Sequence, residues 1–293
     1  MQLYTNYQEA FQAALASRRF AVAHLQSIQL PMNIDTSACY KLFYFISGQK
    51  KFHIDHLVYD VAPGDLFFVN QREAHYFSHF KDTQHHERIV IFIYPDYLRS
   101  LSTGMTDLCA CFSQQADRQF HKFRLQAKES NRLMHLISKL KSDSGFGEDL
   151  MTTSIFLELT ISVNRIRLLQ TSQSDETYSA VTSADMKLTG QASAVLAYID
   201  SHLTEELTLE ILSGAFYLTP SYLCRVFKKE TGITIHKYIT ARRITLAKDL
   251  LAKGYSVTDA CSMSGFKDYN GFLKSFVNSV GISPKKYAQF SSL

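Results

Sequence analysis

The residues able to do chemistry in this chain are histidine and cysteine in its first part and arginine and lysine in its last. Nine of the eleven histidines fall before residue 171. A metal centre on a strand needs its ligands on one face, at alternate positions. His53 and His56 are three apart and point to opposite faces, and no His-x-His occurs anywhere. His85 and His86 lie side by side in the polar stretch HFKDTQHHE. The five cysteines stand at 39, 109, 111, 224 and 261, and the lone Cys109-x-Cys111 has no second pair to complete a zinc site. These residues predict no metal, no cofactor, no catalytic centre, and the reduced thiols of a cytoplasmic protein.

The basic residues are unevenly placed. Of the net charge of +4, residues 1–184 contribute nothing, with 18 basic and 18 acidic side chains, whereas residues 185–293 hold 13 and 9. A polyanion is therefore the expected partner of the last third. No apolar run approaches the roughly 20 residues that span a bilayer, so no membrane partner is expected. The opening MQLYTNYQEA lacks the basic start and apolar block of a signal peptide.

The elements that must position these residues change character along the chain. YKLFYFI (40–46), KKFHIDHLVYDV (50–61), LFFVN, AHYFSHF and RIVIFIY read as short strands, with turns at SGQ and APGD. Within 50–61, Phe52 and Ile54, with His56, share one face. Such strands predict an antiparallel sandwich or barrel. Residues 125–141 and 146–170 switch to the helical period, and TSQSDETYSAVTSAD (171–185) reads as a polar linker. Beyond it the pattern is helical to the end.

The last hundred residues repeat themselves. GITIHKY (232–238) returns as GISPKKY (281–287), and 208–238 lies over 256–287. Thr208 meets Ser256 at an offset of 48, whereas Thr219 meets Asp268 at an offset of 49. The slip falls between two helices, where a turn absorbs it. Each unit reads as capped helix, turn, helix, glycine stop, with Leu223, Val226 and Phe227 inward in the second helix of the first unit. Residues 235–252 form one helical run between the units, about 27 Å long at 1.5 Å per residue. Successive major grooves on one face of DNA are about 34 Å apart. Two helix-turn-helix units with polar, basic second helices on such a spacer predict double-stranded DNA as the partner.

YLTPSYLCRVFKKETGITIHKYITARRITLAKDLL and GFKDYNGFLKSFVNSVGISPKKY resemble the DNA-binding domain of AraC/XylS-type transcription regulators. The resemblance implies a bacterial regulator whose two units dock in adjacent major grooves. It implies Ser221, Tyr222, Cys224 and Arg225 near bases in the first unit, with Asn270, Gly271 and Lys274 corresponding in the second. Arg225 suits a guanine and Asn270 an adenine. Lys228, Lys229, Arg242, Arg243 and Lys274 suit phosphates. Two departures carry expectations. Tyr217 stands where the family usually has glycine, which predicts a turn of different shape. Gly271 and a single lysine in YNGFLKSFVNS predict weaker binding by the second unit.

PGDLFFVNQREAHYF (63–77) resembles the cupin-like sensor domain of the same family. The expected fold is therefore two-domain: an N-terminal β-barrel or jelly roll with trailing helices, then an all-α double helix-turn-helix. The boundaries are 1–170 for sensing and dimerisation, 171–186 for the linker and 187–293 for DNA binding, with units at about 207–232 and 256–281. His75 is the expected pocket histidine, with Tyr44, Phe52 and Phe68 among the aromatic residues expected at a ligand site. Aromatic walls suit sugars or small aromatic molecules, and control by a sugar is the role the resemblance implies. It also implies an activator, a homodimer, with Leu150, Leu157 and Ile161 as candidate contacts, and RNA polymerase as a further partner. Two other readings stay open: a cupin-type metalloenzyme with a helical appendage, and a regulator whose barrel only dimerises.

Overall fold

The computed structural model describes residues 2–27, 34–35, 38–48, 50–55, 57–71, 73–78, 86–112, 121–140, 145–172 and 190–291. The expected linker beyond Ser172, and His56 and His85, lie outside them.

The chain begins with β1 (Leu3–Tyr4), α1 (Tyr7–Ser17) and β2 (Phe20–Ser27), ahead of the strands expected from residue 40 onward. The Asn6 side chain starts α1 by accepting from the backbone N–H groups of Gln8 and Glu9. The strands β3 (Tyr40–Ser47), β4 (Lys50–Ile54), β5 (Leu57–Val61), β6 (Asp65–Val69), β7 (His75–Ser78), β8 (His86–Ile93) and β9 (Lys122–Arg124) follow. Residues 50–61, read as a single alternating run, are in fact a hairpin: Lys50 lies opposite Val61 and Ile54 opposite Leu57. Asp55 turns the chain with φ of 50°, a conformation that a short polar side chain tolerates. Its N–H donates to the Ala74 carbonyl at 2.7 Å and its carboxylate accepts from the Ala74 N–H at 2.9 Å.

Six strands form one sheet in the order β1-β2-β8-β3-β6-β9, and three form a second in the order β5-β4-β7. All pairs are antiparallel except β1 with β2. Between the sheets lies an aromatic core. Phe52 stacks on Phe77 at 4.4 Å and meets the edges of Phe43 and Phe67 at 5.0 and 5.1 Å. The other face of the large sheet carries Tyr40, Leu42, Tyr44 and Phe68. They pack against residues of α2 (Pro95–Leu101), a 3-10 turn (Leu108–Phe112), α3 (Ala127–Lys139) and α4 (Glu148–Ser172). With both faces covered, β3 is buried from Tyr40 to Phe45, Lys41 included. Leu150 on α4 is exposed, whereas Leu157 and Ile161 are half-buried against this outer core.

The C-terminal part is helical: α5 (Gly190–Ser201), α6 (Leu209–Ala215), α7 (Pro220–Thr231), α8 (Ile235–Ala252), α9 (Val257–Met263), α10 (Tyr269–Val280) and α11 (Pro284–Ser291). It holds two cores joined by α8, which gives Ile235, Tyr238 and Ile239 to the first and Ile244, Ala247 and Leu251 to the second. The sheet domain touches both. Tyr76 enters the first core and Ala38 the second. Arg242 of α8 pairs with Asp55, and Lys248 donates to the Gln71 carbonyl.

Candidate nucleic-acid interface and interior cavity

Each helical unit is built from its caps. Thr208 and Ser256 start α6 and α9, accepting from Ile211 N–H at 3.2 Å and Asp259 N–H at 3.1 Å. Thr219 and Asp268 start α7 and α10. Gly232 and Gly281, both left-handed, end them. The one-residue slip is now located. The left-handed turn residues Tyr217 and Gly265 keep the offset of 48, so the extra residue lies after the turn, where Phe266-Lys267 replaces Leu218 alone.

The first turn was expected to differ in shape, yet Tyr217 takes a left-handed φ of 54°, as Gly265 does at 87°. Tyr217 is 97% exposed, so its side chain meets no obstacle. Gly265 has no such room, because a Cβ there would stand 2.8 Å from the Leu203 carbonyl oxygen. Gly271 also answers to a close approach. Its N–H donates to Asp268 Oδ2 at 2.7 Å, and a Cβ would lie 2.6 Å from that oxygen.

On α7, Ser221, Tyr222, Arg225, Lys228 and Lys229 are exposed and Cys224 is half-buried, whereas Leu223, Phe227 and Thr231 face inward. Val226 is half-buried. The Arg225 guanidinium lies 5.4 Å from the centre of the Tyr222 ring. On α10, Asn270 and Lys274 are exposed and Gly271 is half-buried. Among the described residues no carboxylate pairs with Arg225, Lys228, Lys229 or Lys274. Arg242 and Arg243, expected on phosphates, stand elsewhere. Arg242 is 18% exposed and held between Asp55 and Asp200, with Nε 2.9 Å from Asp200. Burial would lower its pKa, but the neighbouring Asp55, Tyr238 and Asp200 raise it above the ordinary arginine value. Arg243 donates to the carbonyls of Leu203 at 3.0 Å and Glu205 at 2.7 Å. Both arginines tie α8 to its neighbours, and charge on a helix does not show which face carries it.

A cavity of about 510 Å³, partly open to solvent past exposed Asn6, Gln26 and Asn278, lies between α1, β2, β8 and the end of α10. Its wall includes Tyr7, Asp35, His75, Arg88, Asn278 and Ser279. His75 is therefore at a cavity, edge-on to Phe43 and Phe52. Burial, then Lys41, pushes its pKa down to about 3, so it is neutral. Its Nδ1 is 3.3 Å from the Glu73 carbonyl and carries the hydrogen, which leaves Nε2 as an acceptor. The other expected ligand residues stand apart. Tyr44 and Phe68 belong to the outer core against the helices, and Phe52 is fully buried between the sheets behind the cavity. Alternation along β3 and β6 gives each strand two buried faces, and the sequence does not say which one meets a void.

Arg88 was not singled out from the sequence. Yet it lies in phase with Val90 and Phe92, which face the core between the sheets, and a charge inside that apolar alternation was a readable signal. Among the described residues no group of three His, Cys, Asp or Glu side chains could hold a metal ion. All five cysteines are free thiols, and burial pushes Cys39 up to about 12.

A sheet domain with a cavity, joined to two helix-turn-helix units on one connecting helix, is the build of a regulator with a ligand-binding domain and a DNA-binding domain. Family models match in the same order: an AraC-like ligand binding domain over residues 38–160 and a helix-turn-helix domain over residues 212–289. The chain belongs to the AraC/XylS family of transcription regulators. It is 24% identical over 248 residues to the probable transcriptional regulator LumQ of Photobacterium leiognathi, covering 84% of this chain and 87% of that one. It is 25% identical over 237 residues to the transcriptional activator RhaS of Escherichia fergusonii, covering 79% and 78%. The regulatory protein PocR of Salmonella typhimurium is 31% identical over 121 residues, covering 41% and 39%. Among solved structures, ToxT from Vibrio cholerae matches at 14% identity and a TM-score of 0.37, covering 94% of this chain and 100% of that chain. The DNA-binding domain of AdpA, solved with a target DNA, matches at 26% identity and a TM-score of 0.32, covering 33% and 89%. No helix of the described residues is long and apolar enough to cross a membrane.

Proposed function

We propose that this chain is a sequence-specific, ligand-responsive transcription activator that reads duplex DNA through α7 and α10. The observation that carries the reading is the pair of capped, exposed second helices on one rigid spacer. The 18 residues of α8 span about 27 Å, close to one turn of DNA. On α7, Arg225, braced on Tyr222, is the base reader, with Ser221 and Cys224 beside it. Lys228 and Lys229 neutralise phosphate. On α10, Asn270 is the base reader and Lys274 the phosphate contact, so the second unit contributes less affinity. The small-molecule effector occupies the cavity of the sheet domain. The chain acts as a homodimer, with exposed Leu150 and Met151 of α4 as contacts, and RNA polymerase is the downstream partner. Activation is supported by the name of the RhaS relative.

The test is selection of bound sequences from random duplex DNA by the full-length chain at two salt concentrations. An enriched motif with contacts one helical turn apart is expected. Arg225→Ala should relax one base position, losing about 1–3 kcal/mol of discrimination there. Lys228→Ala should weaken all sequences alike and reduce the salt slope by about one. No binding at either salt by folded protein, or wild-type binding by both variants, would overturn the assignment.

A further inference from the structure

The polar groups around the cavity are unequally satisfied. Asp35 already has counter-groups: the Tyr7 hydroxyl donates to it, and Lys41 Nζ stands 3.0 Å away. Arg88 has none. It is 5% exposed, its Nε and Nη1 find no hydrogen-bond partner among the described residues, and its guanidinium lies 5.3 Å from the centre of the Phe77 ring. Burial pushes its pKa down to about 10, which still leaves it cationic at neutral pH. Lys50 adds positive charge nearby: burial, then the Arg88 charge, push it down to about 8. A buried cation with no counter-charge among the described residues is costly, and this one stands in the wall of a cavity large enough for a small organic molecule.

We propose that the cavity binds a small organic carboxylate, whose anionic end takes the open donors of Arg88 and whose apolar body lies along Phe11, Leu25, Phe43 and Phe77. This deepens the ligand-responsive reading and rests on it for the effect on DNA. A neutral sugar fits less well, because it leaves the guanidinium charge unbalanced. An inorganic anion leaves most of the volume empty. Asn278 and Ser279, at the end of the second unit's α10, complete the wall. A bound carboxylate therefore touches the DNA-binding domain directly, and its affinity depends on where that domain sits.

The experiment is calorimetric titration of the full-length protein with phenylacetate and hexanoate, against phenylacetamide, hexanamide and glucose as neutral probes. At least one acid should bind, with its amide about tenfold weaker or worse. Arg88→Gln should abolish the preference for the acid. Arg88→Met supplies a second readout independent of the probes. It replaces an unpaired buried charge by an apolar chain of similar length, and should raise the melting temperature of the ligand-free protein. A lower melting temperature for Arg88→Met would show that Arg88 is a structural cation and overturn the proposal. Amides or glucose binding as well as the acids, or failure of both acids at millimolar concentration, would overturn it too. Selected DNA motifs with no acid binding would leave the regulator standing without this effector class. Acid binding without a DNA motif would do the reverse.

Discussion

His53 and His75 are both held neutral inside the sheet domain, which sets its response to acid. His53 packs on the Tyr76 ring at 4.4 Å, with Nε2 2.8 Å from Ser78 Oγ. Burial, then Lys51, pushes its pKa down to about 3; burial, then Lys41, does the same to His75. In the unfolded chain each titrates near pH 6.5. Between those values the unfolded state binds more protons, so stability falls as pH drops from about 6.5 toward 3. Each histidine should cost roughly 1 kcal/mol per pH unit in that window. Thermal melts from pH 7.5 to 5 should show this, with a shallower slope in His53→Gln; a flat profile would mean that these rings are protonated in place. Arg242 carries the opposite lesson at this scale. Its type suited phosphate, but two carboxylates claim it, and residue type alone does not report the partner.

Among the elements, the helices were most legible because their period is local. Residues 235–252 were read as one helix and form one, and 125–141 and 146–170 appear as α3 and α4. The hairpin at 50–61 was not legible, since alternation runs straight through Asp55 and only its pairing with Ala74 turns the chain. The β1-α1-β2 entry was missed as well, because FAVAHLQS carries no strong turn signal before it. The first helix-turn-helix holds a non-glycine residue in the left-handed region, at a cost of about 1 kcal/mol. Tyr217→Gly should therefore stabilise the protein by up to that amount in denaturant titration, since the exposed ring gives up no packing. Tyr217→Val should destabilise it. Equal stability of all three would mean that the turn relaxes to another shape.

At the scale of the whole molecule, the sheet domain and the DNA-binding domain share side chains. Arg242 reaches from α8 to Asp55 on the β4–β5 turn, and Tyr76 of β7 sits in the core of the first unit. The two domains should then unfold as coupled bodies. In a double-mutant cycle of Asp55→Ala and Arg242→Ala, followed by calorimetry, the pair should show a coupling energy of about 0.5–3 kcal/mol. The single variants should separate the two melting transitions. A coupling indistinguishable from zero would mean that the domains do not hold each other through this pair.

The sequence alone determined the two-domain plan, the doubled helix-turn-helix, its spacer helix and the exposed basic face of α7. All of these follow from patterns within a few turns of chain, where period, caps and glycine stops act locally. Only the tertiary structure decided which buried face of each strand meets the cavity and that Arg242 and Arg243 are tied inside. It also showed that Arg88 Nε and Nη1 have no hydrogen-bond partner among the described residues and that α10 lines the cavity. Those outcomes depend on residues far apart in sequence arriving at one place, and no local pattern records which partners arrive.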